Sequence, residues 1–273
     1  MSHRPRLLAL DMDGTLLTST KQIATQTSAA LSALSATGVT IALSTGRGPA
    51  ELNDFAGRLS WASLGSLCSG GLVYDLRTGR PLASTPIPDA EALACIGAGG
   101  REGAMVHLST TTRSVTQTGF IEHCEDYAVG VYKPMFRRQW DCSDDLTAYV
   151  ADHPNAVIKI DIYHPSPAAR ERTLAQLSAD TSLALKRAET TSVECTARGV
   201  DKALGLMRLC GVLGIDRADV VAIGDDDNDL DALEVAGTAV AMGNANERVQ
   251  AVCDLVVADN DHNGIVEAIE RLF

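Results

Sequence analysis

Asp11-Met12-Asp13-Gly14-Thr15 follows directly on the apolar run Leu7-Leu8-Ala9-Leu10, and the fold is decided at that junction. A short apolar run with no alternation suits a strand buried on both faces, the pattern of a parallel sheet. The run ends at a carboxylate, so the strand opens onto a polar loop. Residues 21–37 then read as a helix, with Ile23, Ala30, Leu31 and Leu34 on one face and Gly38 as its stop. Val39 to Leu43 is a second apolar run, and it ends in Ser44-Thr45-Gly46-Arg47. Strand, helix and strand in this order predict a right-handed parallel crossover. Far along the chain the pattern returns. Val220 to Ile223 is an apolar strand closing on Gly224-Asp225, with a helix expected from about Asp227. Short strands are expected at Thr238 to Met242 and Leu255 to Val257, and a closing helix from Gly264. The fold class is α/β, a doubly wound parallel sheet. Such sheets bind ligands at the carboxyl ends of their strands. Polar clusters follow Leu10, Leu43 and Ile223, so three distant segments are expected to converge on one site.

The middle of the chain is built differently. A hairpin is expected from Leu72 to Ala83, turning at Arg77-Thr78-Gly79, and Ser84-Thr85-Pro86-Ile87-Pro88 reads as a linker. Ala156 to His164 alternates strictly, with Val157, Lys159, Asp161 and Tyr163 on a face expected to be wet. Ser166-Pro167 opens a helix. Further strands are expected at 104–109, 113–118 and 182–187. Residues 85–190 are therefore an α+β insertion in a core made of 1–84 and 191–273.

Composition narrows the partners. The 273 residues carry a net charge of −12 and no basic tract, so neither nucleic acid nor an anionic membrane is an expected partner. No apolar run approaches the ~18–20 residues that cross a bilayer. The first apolar run is interrupted by Asp11 too early for a secretory signal. Seven cysteines, an odd number without a CxxC, suit a reducing compartment. These features predict a cytoplasmic protein; a monomer or small homo-oligomer is expected, although composition does not select between them. GxxxxGK[ST], GxSxG and HExxH are absent. Gly97-Ala98-Gly99-Gly100 lacks the dinucleotide-binding spacing.

Asp11 and Asp13 stand two residues apart at a strand end and can project to the same side. Like charges that close need a proton or a cation between them. A carboxylate can attack phosphorus to give an acyl phosphate, and a neighbouring acid can protonate the leaving oxygen and then activate water. The plainer reading is a pair of turn aspartates. Asp225-Asp226-Asp227-Asn228-Asp229-Leu230-Asp231 is dominated by carboxylates, and oxygen-only donors point to Mg2+. Asp225 is the candidate ligand, while Asp226, Asp227 and Asp231 read as capping or solvated residues. Thr45 and Gly46 offer a hydroxyl and an N–H for phosphate, or a simple polar turn. Lys202, in Gly199-Val200-Asp201-Lys202, offers a point cation, or an ordinary surface lysine.

Taken in order, Asp11-Met12-Asp13-Gly14-Thr15-Leu16-Leu17, Ser44-Thr45-Gly46-Arg47, Gly199-Val200-Asp201-Lys202 and Gly224-Asp225 with Asn228-Asp229 resemble the haloacid dehalogenase-like phosphatases of the Cof-type branch. Ala241-Met242-Gly243-Asn244-Ala245 is similar to that branch as well. The resemblance implies a Rossmann-like core with a mobile α/β cap that excludes water and selects substrate. It implies Asp11 as nucleophile and Mg2+ ligand, and Asp13 as general acid/base and a ligand through its backbone carbonyl. Asp225 would be the third ligand and Asp229 would support the metal's waters. Met12 (through its backbone), Thr45, Gly46, Lys202 and Asn228 would hold the phosphoryl group of a small phosphorylated metabolite. Arg47 would reach a substrate oxygen or brace the core. Ser69-Gly70-Gly71 replaces the branch's frequent Asn-Gly-Ala near the mouth of the site, and Asp226 and Ala203 also depart from it. The implied activity is hydrolysis of small phosphomonoesters, sugar phosphates or related compounds. A sugar phosphomutase or phosphoryl transferase, or a non-catalytic binding protein, are the alternatives.

Overall fold

The computed structural model describes residues 5–273. The first strands are β1 (Leu7–Leu10), β2 (Thr40–Ser44), β3 (Leu64–Leu67), β4 (Leu72–Asp75) and β5 (Arg80–Ser84). Then come β6 (Met105–Thr110), β7 (Ser114–Gln117), β8 (Trp140–Ser143), β9 (Val157–Tyr163), β10 (Ala184–Ala188) and β11 (Ser192–Thr196). The last are β12 (Val220–Gly224), β13 (Thr238–Ala241) and β14 (Leu255–Val256). The α-helices are α1 (Thr25–Ala36), α2 (Asp89–Arg101), α3 (Lys133–Gln139), α4 (Leu146–Asp152), α5 (Pro167–Asp180), α6 (Lys202–Leu213), α7 (Leu230–Val235), α8 (Glu247–Val252) and α9 (Gly264–Leu272). The chain divides into two compact units. One holds the described residues up to Gly46, Phe55–Ala83 and Asp201–Phe273; the other holds Arg47–Asp54 and Ser84–Val200.

The first unit is built on a sheet of order β14-β13-β12-β1-β2-β3-β4-β5. β1 lies between β2 and β12 and is parallel to both, with Leu10 opposite Leu43 and Ile223. The chain thus runs one way from β1 through β2 to β3, and the other way from β12 to β14. The carboxyl end of β1 is the switch point where a doubly wound sheet binds ligand. Leu7, Ala9, Ala42, Val220 and Ala222 form a core with Leu206 and Leu209 of α6. Full burial of a leucine contributes about 1.5–3 kcal/mol, so this packing fixes the helix whose first residue is Lys202. The predicted strands and the 72–83 hairpin are present. The first helix is shorter than 21–37 because Lys21 takes a left-handed backbone (φ 58°), and Leu17 bridges to Ile23 before the helix begins.

The second unit carries a sheet of order β10-β11-β9-β6-β7-β8, antiparallel except for the pair β7 and β8. It extends to Val200 instead of residue 190, because β11 pairs with β9 and β10. It also takes in residues 47–54. Glu51 accepts from Trp140 Nε1 at 3.2 Å and Asp54 from Gln139 Nε2 at 2.7 Å. α2 packs on one face: a methyl on Gly99 would lie 2.7 Å from Val106 Cγ2. The opposite face, expected to be wet, is buried, with Lys159 5% and Asp161 7% exposed. Alternation identified the two faces correctly, but a polar face covered by other parts of the chain looks the same in sequence as one open to water. No described helix is long and apolar enough to cross a membrane, and none of the cysteines forms a disulfide.

Candidate active site

β1 delivers Asp11 to the switch point, where its N–H donates to Ile223 O at 3.0 Å. The carboxylate is 5% exposed. Its Oδ1 accepts from Lys202 Nζ at 2.7 Å, and the same ammonium donates to Asp229 Oδ1 at 2.6 Å. Lys202 is itself 1% exposed. It can sit there because the first turn of α6 comes unusually close to the loop after β3. A Cβ on Gly70 would lie 1.8 Å from Asp201 O, and one on Gly205 would lie 1.9 Å from Ser66 Oγ. Gly70 also has φ +95°, a conformation that favours glycine. Asp201 caps the helix by accepting from Leu204 N.

The turn after β12 supplies the other acids. Asp229 Oδ2 accepts from the N–H groups of Asp225 and Asp226 at 3.0 and 3.2 Å, so Asp229 ties the turn together while its other oxygen holds Lys202. Asp225 Oδ1 accepts from Thr15 at 2.7 Å, and Oδ2 from Asn244 Nδ2 at 3.3 Å. Asn244 also donates to Gly14 O at 2.9 Å. Gly14 (φ +91°) leaves room for this carboxylate, since a Cβ would stand 2.2 Å from Asp225 Oδ2. Gly14→Ala is therefore expected to displace Asp225 and weaken divalent-cation binding about 10–100-fold, the usual cost of disturbing a ligand's support. Calorimetric titration with Mg2+ checks this, and an unchanged affinity would show that Asp225 does not hold the ion.

Asp11, Asp225 and Asp229 each offer an oxygen, all within 4.8 Å of one another. Burial pushes the Asp11 carboxyl well up; Lys202 opposes this, while Asp229 and Asp225 add to it. Burial also pushes Asp225 up to about 6. Burial alone would lower the Lys202 ammonium, but Asp11 and Asp229 outweigh it and hold it above its ordinary value. Three carboxylates against one ammonium leave two negative charges. A buried, oxygen-only cluster with that excess fits a hard divalent cation.

The other residues singled out in the sequence are placed less closely. Asp13 turns its carboxylate to Lys21 Nζ at 2.8 Å and is not in the triad. Met12 is fully buried, and its carbonyl accepts from Leu17 N. Thr45, 2% exposed, follows β2 and accepts through its carbonyl from Ser69 N, which puts the divergent Ser69-Gly70-Gly71 stretch against the second motif. Gly46 is half-buried and Asn228 exposed. Arg47 falls in the second unit, where Nη1 contacts Met135 Sδ at 3.1 Å. Asp226 caps the turn and Asp227 pairs with Arg248, as capping and solvated residues would. Thr15 and Asn244 hold Asp225, a role that the sequence alone does not assign to them. Both stood within the quoted strings, and only the fold shows that they meet Asp225.

Residues 8–269 match the haloacid dehalogenase-like hydrolase family. A pyridoxal phosphate phosphatase of Escherichia coli is 27% identical over 97% of both chains. A 5-amino-6-(5-phospho-D-ribitylamino)uracil phosphatase of Bacillus subtilis is 26% identical over 100% of this chain and 99% of its own. The crystal structure of a haloacid dehalogenase-like hydrolase from Bacteroides thetaiotaomicron superposes with a TM-score of 0.86, at 25% identity, over 99% of this chain and 100% of its own. The family match runs from residue 8 to residue 269, and the chain belongs to the haloacid dehalogenase-like hydrolases.

Proposed function

We propose that the protein is a Mg2+-dependent phosphatase of small phosphorylated metabolites, sugar phosphates or related phosphomonoesters, working through an aspartyl phosphate on Asp11. The observation that carries this reading is the position of Asp11: buried at a strand end, one oxygen fixed by Lys202, in a triad with two uncompensated negative charges.

Asp11 attacks phosphorus through a carboxylate oxygen, and the bond to the leaving oxygen breaks. Asp13 gives that oxygen its proton. Water then attacks the phosphorus of the acyl phosphate, and Asp13 takes the water's proton as the carboxylate is released with inorganic phosphate. Lys202 orients Asp11 and, with Thr45, Gly46, Asn228 and the backbone of Met12, carries the phosphoryl oxygens. Asp229 fixes Lys202 and the Asp225 turn together. A Mg2+ ion held by Asp11, Asp225 and the Asp13 carbonyl would neutralise phosphate charge and the two surplus charges of the cluster.

The test is release of inorganic phosphate from a panel of sugar, nucleotide and cofactor phosphates, with Mg2+ and with EDTA. Phosphate released only with the metal supports the reading. Transfer to a second sugar hydroxyl without release would make the protein a phosphoryl transferase.

The raised carboxyls also set a pH dependence. Below about pH 6 Asp225 holds a proton that a cation must displace. Apparent Mg2+ affinity is expected to fall at least about tenfold per pH unit below that point. In the metal-free protein the sign for stability is opposite. A carboxyl raised on folding favours the folded state at low pH, and this contribution fades as pH rises from about 4 to about 6. Melting in EDTA should therefore worsen across that window and recover with Mg2+. A flat profile in EDTA would contradict the burial assigned to these acids.

A further inference from the structure

Asp13 carries the proton steps of the proposed chemistry. Its carboxylate nevertheless stands apart from the Asp11, Asp225 and Asp229 cluster and is turned to Lys21 Nζ at 2.8 Å. That pairing is built into the backbone. Leu17 bridges both to Asp13 and to Ile23. Thr18 N donates to Gln22 O at 2.9 Å and Lys21 N to Thr18 O at 2.8 Å, so residues 18–22 form a closed turn. Gln22 N donates to the Thr18 hydroxyl at 3.2 Å. Lys21 takes the left-handed backbone conformation (φ 58°), where glycine, asparagine and aspartate are the usual residues.

The turn is fastened to the frame that carries Asp225. Asn260 Nδ2 donates to Leu17 O at 2.8 Å, and Ser19 N donates to Asp261 Oδ1 at 2.9 Å. Asn260 N donates to Asn244 Oδ1 at 3.1 Å, and Asn244 is the residue whose amide holds Asp225 Oδ2 and Gly14 O. Backbone strain persists only where the surroundings enforce it, and it collects at functional sites. Stability does not account for it here, because both side chains are half-buried and an ion pair open to water contributes little. The neighbouring cluster does account for it. A cation held at Asp11 draws in a further carboxylate two residues along the chain, and a carboxylate bound to the ion is lost to proton transfer.

We propose that Lys21 is a positioning residue for Asp13. Its ammonium keeps the carboxylate off the cation, available first to the leaving oxygen and then to water. The inference rests on the phosphatase reading, in which Asp13 is the acid and base.

Lys21→Asn is the decisive variant, because asparagine accepts the left-handed backbone and brings no charge to Asp13. Turnover of an alkyl phosphate is expected to fall about 10–100-fold, the scale of a misplaced catalytic group, with KM within about threefold of wild type. The melting temperature should stay within about 4 °C. p-Nitrophenyl phosphate, whose leaving oxygen needs no proton, should lose less in kcat/KM than the alkyl ester, whereas general damage to the site would lower both alike. Lys21→Arg keeps the charge and should restore turnover to within about threefold of wild type. In an Asp13→Asn background, Lys21→Asn should cost nothing further. Calorimetric titration with Mg2+ follows the same role without turnover. Affinity should rise about threefold or more in Lys21→Asn, and by less in the Asp13→Asn background, where no carboxylate is released. Equal losses on the two esters, an arginine variant as poor as the asparagine variant, or a full further loss in the Asp13→Asn background overturns the proposal. Unchanged or undetectable Mg2+ affinity does so as well. A wild-type protein that releases no phosphate from either ester would instead overturn the phosphatase reading, and the Mg2+ titrations alone would then decide whether Lys21 holds Asp13 off the cation.

Discussion

Asp11→Asn is expected to lower turnover by on the order of 10^4-fold or more while leaving the melting temperature equal or higher. The activity loss follows from chemistry. An amide oxygen is a poor nucleophile, and losses of this size are typical when a nucleophile is removed from a site that still binds substrate. The stability gain follows from charge. Asp11 is one of three clustered carboxylates facing one ammonium, and neutralising it leaves Lys202 paired with Asp229. The burial that raises the Asp11 carboxyl measures the cost of keeping it ionised, and asparagine is spared that cost. Phosphate release and thermal melting, both without metal and with Mg2+, check the two halves. Turnover within about tenfold of wild type would remove Asp11 as nucleophile. A protein that has lost both activity and stability would show that Asp11 holds the fold together. The added Mg2+ makes a further distinction: the variant should gain less stability from the ion than wild type if Asp11 is one of its ligands, as proposed.

Much of this arrangement was legible in the sequence because it depends on local features. Leu7-Leu8-Ala9-Leu10, Val39 to Leu43 and Val220 to Ile223 are apolar runs that end in polar residues, and a parallel sheet turns three such endings into one place. Asp11 and Asp225 stand out on that basis, whereas Lys202, at a helix start, stands out only through the resemblance carried by Gly199-Val200-Asp201-Lys202. What escaped depends on contacts between distant parts of the chain. Thr15 and Asn244 are ordinary loop residues until 210 positions of separation between Thr15 and Asp225 are closed by the fold. Segment 192–196 carries Glu194 and Cys195, and only its pairing with β9 and β10 makes it a strand of the second unit. Residues 47–54 follow the second motif without a composition break, yet Glu51 and Asp54 are tied to Trp140 and Gln139. The alternation of Lys159 and Asp161 was read correctly as one face of a strand. Its burial was not, since period-two patterning reports which residues share a face and says nothing of what covers it.

Lys202→Met is expected to destabilise the metal-free protein by about 3–5 kcal/mol, the range for removing one partner from a buried ion pair. Lys202 is the ammonium that both Asp11 and Asp229 use. Without it, three carboxylates lie within reach of one another with no positive charge, and Asp229 must still hold the turn that carries Asp225. For a chain of this size the loss corresponds to a fall in melting temperature on the order of 10 °C. Mg2+ should restore more of it than the same concentration adds to wild type, because the ion replaces the missing charge in part. Lys202→Arg is the companion variant. It keeps the charge, but a planar guanidinium does not fit where the lysine is 1% exposed and its neighbours approach through Gly70 and Gly205. The two variants separate charge from shape: a stable arginine variant with low activity would mean that charge sustains the fold and the compact ammonium serves the phosphoryl group. The double variant with Asp11→Asn completes the test. If the lysine is there to compensate Asp11, its removal should cost less once Asp11 is neutral, with a coupling between roughly 0.5 and 3 kcal/mol. Strict additivity would mean that Lys202 stabilises the fold through Asp229 alone, and the ion pair with Asp11 would then serve catalysis only.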